Sequence, residues 1–193
     1  MSNKKFLTLE KVIGISFNDK KILKKSLTHK SYNNNNNNEK LEFLGDRVLG
    51  LVLSNALFKI YPNEKEGILD KKFANLVNKK TCYQISKKIG LDKYIFVGDS
   101  QKKLDKKNEK ILSDGLEALI GAIFLDQDLE IADKFIKKNW KEFLIKSNVT
   151  IIDSKTMLQE YSLKRYKQLP NYKIFKQSVP KHQPTFKAEV QIK

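Results

Sequence analysis

The sequence predicts a mainly α protein that ends in a small α+β piece, and three observations carry that prediction. Breakers are sparse: 193 residues hold eight glycines and four prolines, two of the prolines beyond residue 175. Apolar residues recur at helical spacing through the first 148 residues. Beyond them one more helical run leads into two extended runs, and the last, Phe186-Lys187-Ala188-Glu189-Val190-Gln191-Ile192, alternates apolar with polar.

Leu7 to Ile15 makes a first short helix, and Lys20 to Tyr32 a second with Ile22, Leu23 and Leu27 as its apolar side. Six consecutive asparagines, Asn33 to Asn38, form a loop, because asparagine competes with the helical backbone for hydrogen bonds, and Asn38 is placed to cap the next helix. That helix, Glu39 to about Ile60, is apolar almost all round and should be central. Tyr61-Pro62-Asn63 stops it. One or two helices run from Gly67 to about Lys88, closed by Gly90. Leu91 to Asp99 reads as extended and the lysine-rich stretch Ser100 to Lys110 as a loop, after which Ser113 caps a helix continuing to about Leu125. A further helix spans Leu129 to about Lys146. The end piece has a helix over Lys155 to Tyr166 and strands over Tyr172 to Val179 and Phe186 to Ile192.

Charge narrows the partners. The formal net charge is +16, from 38 basic and 22 acidic residues, and residues 149–193 carry +6 of it, 9 basic against 3 acidic. An excess on both parts of the chain points to a polyanion such as nucleic acid, with a generally lysine-rich composition as the alternative. The single cysteine, Cys82, excludes an internal disulfide framework and a multi-thiolate zinc site, and its helical setting predicts packing. Neither an 18-residue apolar span nor a secretory signal is evident, so the expectation is a cytoplasmic protein with no membrane partner.

Two acidic stretches carry the chemistry. In Glu39-Lys40-Leu41-Glu42-Phe43-Leu44-Gly45-Asp46, the acids Glu39, Glu42 and Asp46 fall within roughly 60° of a helix, with Leu41, Leu44, Val48 and Val52 on the other side. In Asp114-Gly115-Leu116-Glu117-Ala118, the two acids form a second edge backed by Leu116, Leu119, Ile120 and Ile123. Ala118, Gly121 and Ala122 beside that edge let another backbone approach closely. Four carboxylates massed beside apolar faces are costly unless a cation neutralises them. If the two edges pack together, Glu42, Asp46, Asp114 and Glu117 supply an all-oxygen site suited to magnesium, with manganese as a substitute. Two such ions can activate water for phosphodiester hydrolysis. The bland alternative is that these are helix-start acids paired with lysines.

These residues resemble the ribonuclease III family. Glu39 to Asp46 looks like that family's signature, and Asp114-Gly115-Leu116-Glu117-Ala118-Leu119-Ile120-Gly121-Ala122-Ile123-Phe124-Leu125-Asp126 is similar to its second acidic motif. Leu27-Thr28-His29-Lys30-Ser31-Tyr32 and Glu66-Gly67 also fit in order. The resemblance implies an all-helical endonuclease domain over residues 1–148 and part of a double-stranded RNA-binding domain over 149–193. It implies a magnesium-dependent homodimer that cuts double-stranded RNA to 5′-phosphate and 3′-hydroxyl ends, processing ribosomal and other structured precursors. Glu42, Asp46, Asp114 and Glu117 would be catalytic metal ligands, Glu39 and Glu66 accessory acids, and Phe43 a dimer contact. Arg47 departs from the small residue often found there, and His29 reads as a structural hydrogen-bonding residue.

Lys155-Thr156-Met157-Leu158-Gln159-Glu160-Tyr161 resembles the first helix of the RNA-binding domain, whose Thr156, Gln159 and Glu160 would face a minor groove. Val179-Pro180-Lys181-His182 resembles the loop that reaches a second one through His182, and the domain's third strand and second helix are not matched. Two further readings stand beside the enzyme: a non-catalytic double-stranded RNA-binding scaffold on the same fold, and a purely structural helical oligomer.

Overall fold

The structure, a computed structural model, describes residues 3–98, 105–147, 154–177 and 185–192. The chain divides into two compact units, Met1–Thr150 and Ile151–Lys193. Seven α-helices belong to the first unit among the described residues: α1 Asn3–Ile13, α2 Lys20–Ser26, α3 Glu39–Ile60, α4 Glu66–Val77, α5 Lys79–Lys88, α6 Asp105–Asp126 and α7 Leu129–Lys146.

Side-chain caps set several starts. Asp19, Asn78 and Asp128 each accept a backbone N–H from the first turn of α2, α5 and α7. The Asn78 cap is why the run from Gly67 to Lys88 breaks into two helices. Asp126, at the end of α6, accepts the N–H groups of Asn18 and Asp19 at 2.8 and 2.7 Å and so ties that end to the start of α2. Glu10, buried on α1, accepts the Phe17 N–H at 2.6 Å and pairs with Lys20.

Helices α3 and α6 form the centre. Leu41, Val48, Leu49, Val52 and Leu53 of α3 are buried with Leu116, Leu119, Ile120 and Ile123 of α6. Trp140 on α7 closes the core and donates its indole N–H to the Leu76 carbonyl at 2.9 Å. The apolar pattern of α3 is divided in two, however. Phe43, Leu51 and Phe58 lie within about 80° of one another on the helix, and they are 66, 58 and 71% exposed.

Several local expectations are corrected. The second helix ends at Ser26 rather than Tyr32, because the chain straightens to make a parallel bridge between Thr28 and Phe96. Leu91–Lys93 is a 3-10 turn entered through left-handed Gly90, not extended chain. Helix α6 begins by Asp105, eight positions before Ser113, which is buried inside it. Lysine and glutamate propagate a helix readily, and Ile111 and Leu112 anchor that turn to the core. Asn38 makes no side-chain cap, and the Asn37 side chain accepts the Glu39 N–H instead, at 3.1 Å.

The second unit holds α8, Ser154–Tyr166, and an antiparallel pair, β1 Asn171–Gln177 and β2 Thr185–Gln191. Their register sets Asn171 opposite Gln191 and Gln177 opposite Thr185. The buried Ser162 hydroxyl donates to the Gln168 carbonyl at 2.6 Å, which pins the turn after α8, where Lys167 has a positive φ of 58°.

Candidate active site and metal centre

Backbone contact between α3 and α6 builds the site. A Cβ on Gly45 would overlap the Glu117 carbonyl, and one on Gly121 would overlap the Leu41 carbonyl. Glycine at both positions lets the helices touch backbone to backbone, with Ala118 and Ala122 fully buried beside them. Glu42 and Asp46, on either side of Gly45, thereby meet Asp114 and Glu117 across the crossing, and all four line one cavity of about 680 Å³.

Glu42, Asp114 and Glu117 each place a carboxylate oxygen within 4.8 Å of the others. Asp46 lines the same cavity, but its carboxylate is engaged by Arg47, whose guanidinium also lies 5.3 Å from the centre of the Phe43 ring. Glu39 stands at the rim and accepts from Lys30 at 2.9 Å, which holds its carboxyl below the ordinary value. Glu66 is exposed at the start of α4 and does not line the cavity.

Electrostatics mark the cluster as strained without a cation. Burial first, then the charges of Asp46, Asp114 and Glu42, push the Glu117 carboxyl up to about 8. Glu42 is raised for the same two reasons, burial and then Asp114. Lys110, one turn before Asp114 on α6, pairs with it and is itself raised by that bond. Hard oxygen donors crowded together, two of them, Glu42 and Glu117, held above their ordinary values, make the donor set a divalent cation fits.

Five cavity residues lie outside those the sequence singles out as site residues: His29, Lys30, Asn38, Lys110 and Ile111. Lys110 had a signal in its i,i+4 spacing to Asp114. His29 had a signal only in its place within Leu27-Thr28-His29-Lys30-Ser31-Tyr32, and Asn38 only in its place just before Glu39; the bridge between Thr28 and Phe96 and the bond from the Asn38 N–H to the Thr28 carbonyl bring them to the site. The His29 imidazole is held below its ordinary value by burial and by Lys30.

A family model described as Ribonuclease-III-like matches residues 19–144, and one described as Double-stranded RNA binding motif matches residues 154–193. The chain is 54% identical over 187 residues to Ribonuclease 3 of Pelagibacter ubique, covering 97% of this chain and 84% of that protein. It belongs to the ribonuclease III family. Ribonuclease 3 of Leptospira interrogans is 40% identical over 193 residues, covering 96% of this chain and 78% of that one. Among solved structures, the nuclease domain of ribonuclease III from Campylobacter jejuni aligns at a TM-score of 0.66 and 39% identity, over 79% of this chain and all of that one. The protein is therefore a ribonuclease III, a double-strand-specific endoribonuclease of a family that depends on metal, and double-stranded RNA is its partner.

On the second unit, Gln159 and Glu160 lie on α8, Gln159 half-buried and Glu160 exposed. The Thr156 side chain and all of His182 lie outside the described residues. No helix among the described residues is long and apolar enough to cross a membrane.

Proposed function

We propose that the chain is a magnesium-dependent homodimeric endonuclease that leaves 5′-phosphate and 3′-hydroxyl ends. On this reading it acts in the cytoplasm on ribosomal and other structured precursor RNAs, through a nuclease domain over residues 1–148 and an RNA-binding unit over 149–193. The single observation that carries it is the convergence of Glu42, Asp114 and Glu117 oxygens within 4.8 Å. Those three would hold magnesium, and Asp46 would join them once released from Arg47. A bound ion would supply Lewis-acid stabilisation of the charge developing on the phosphate. Glu39, paired with Lys30 at the rim, would serve as an accessory acid. Manganese, with similar oxygen chemistry, would substitute. Thr156, Gln159, Glu160 and His182 are the proposed groove contacts of the second unit.

A second copy of the chain completes the reading. Among the described residues one subunit offers one acidic cavity, whereas cutting both strands of a duplex needs two, and a two-fold axis supplies the pair. The exposed stripe of Phe43, Leu51 and Phe58 on α3 begins at the cavity and suits such an interface. A structure of the Campylobacter jejuni nuclease domain, 40% identical with a TM-score of 0.65 over 69% of this chain and 96% of that one, is described as flexible in a region involved in dimer formation. Glu66 is assigned an accessory role within that dimer, since it lies away from its own subunit's cavity.

Purified protein incubated with a long duplex and magnesium tests the reading directly. Cleavage is expected, and Glu117→Gln should abolish it while duplex binding in calcium persists. An intact duplex would return the scaffold alternative, although none of the four carboxylates is replaced here. Normal cutting by Glu117→Gln would refute the metal assignment.

A further inference from the structure

The cavity is lined by two neutral hydrogen-bond donors that the carboxylate chemistry leaves unused, His29 and Asn38. The imidazole of His29 is fixed by its neighbours. The Ser31 N–H donates to Nδ1 at 3.1 Å, and the Ser31 hydroxyl lies 2.8 Å from the same nitrogen. The Ser31 N–H can only donate, which makes Nδ1 the acceptor, so the hydroxyl, whose oxygen accepts the Gly98 N–H at 3.0 Å, turns its own proton to Nδ1. With Nδ1 accepting, the ring carries its proton on Nε2.

The backbone beneath is equally constrained. His29 N–H donates to the Phe96 carbonyl at 3.0 Å, and Phe96 N–H to the Leu27 carbonyl at 2.8 Å. A Cβ on Gly98 would strike the Ser31 backbone at 3.1 Å or closer, so glycine there lets the two segments meet. Asn38 is joined to this scaffold through its N–H to the Thr28 carbonyl at 2.9 Å. Only 2% of Asn38 is exposed, yet its Nδ2 has no hydrogen-bond partner among the described residues. A buried amide left without an acceptor is costly, so its retention calls for a ligand.

Charge explains why the donors are neutral. A cation in the cavity competes for the carboxylates, as Lys110 does at Asp114. An N–H without net charge binds an anionic oxygen and leaves the carboxylates free. We propose that the His29 Nε2–H and the Asn38 Nδ2–H together hold a phosphate oxygen of the RNA strand lying over Glu42, Asp114 and Glu117. His29 is then a catalytic residue that touches substrate, a role that rests on the nuclease reading above.

The test uses the full chain with His29→Ala, Asn38→Ala and His29→Gln, whose amide restores an N–H. His29→Ala should slow single-turnover cleavage of a long duplex about 10–100-fold, the worth of one hydrogen bond to a charged group. His29→Gln should recover part of that loss, and Asn38→Ala should also slow cleavage. The rise in Tm on adding magnesium should match the unsubstituted protein's in all three. An unsubstituted protein that leaves the duplex intact refutes the nuclease reading itself. Cutting by that protein while His29→Ala stays within about twofold of it overturns the donor proposal alone, as does loss of the magnesium effect in His29→Ala. Nitrogen NMR of the unsubstituted protein gives a readout free of folding. It should show the proton on His29 Nε2, and that signal should move when duplex is added in calcium. An unmoved signal overturns the proposal.

Discussion

Glu117 shows what burial does to a single carboxyl. Its folded value of about 8 lies above the ordinary 4.5, so the native state keeps a proton that the unfolded chain has released. Its contribution to stability is therefore full below 4.5 and is lost as pH rises toward about 8. In the metal-free protein Tm should fall across that window, and Glu117→Gln should flatten the fall by several degrees. Scanning calorimetry at a series of pH values checks both. The magnesium-induced rise in Tm should grow over the same window, because the ion competes with that proton. Cys82 lies under the same influence: burial first, then Glu117, Asp46 and Asp114, push its thiol up to about 12. A thiol so rarely ionised should resist alkylation in the native protein at pH 8 and react only on unfolding, which mass spectrometry reads.

Helices α3 and α6 succeed as a pair because each lacks a side chain where the other arrives. Gly121→Ala would force the α6 backbone off the Leu41 carbonyl. A destabilisation of about 1–3 kcal/mol is expected for such overpacking, with duplex cleavage falling further than stability because the carboxylates separate. Denaturant melts and cleavage rates of the same variant test that ordering. Much at this scale was legible: helical spacing located α3 and α7, and the small residues Ala118, Gly121 and Ala122 announced a close crossing. The start of α6 was not legible, because a lysine-rich run reads equally as a solvated loop or a solvated helix until Ile111 and Leu112 find a core. The end of α2 was hidden for the same kind of reason, since its partner Phe96 lies 68 positions beyond Thr28.

For the whole molecule, the exposed stripe on α3 and the excess of positive charge make two demands. Phe43→Ala should weaken the proposed homodimer, seen as a shift toward monomer in sedimentation at micromolar concentration; an unchanged dimer would place the interface elsewhere. Duplex affinity should fall with salt at a log–log slope of about 0.9 per phosphate neutralised, as contacts to the backbone require. A flat salt response would remove the reason for +16 on a chain of this size.

The sequence by itself determined the chemistry on offer. Carboxylates set one turn apart beside apolar helix faces must share a helix edge, and their hard oxygens choose the class of cation, because both follow from local geometry and donor type. Tertiary structure decided which atoms meet. It drew Glu42, Asp114 and Glu117 together while leaving Asp46 with Arg47 and Glu66 outside. It also turned His29 and Asn38 toward a common cavity through a bridge to Phe96. Contacts between residues distant in the chain depend on how whole helices pack; small residues can mark where a crossing is close, but no local pattern names the partner atoms.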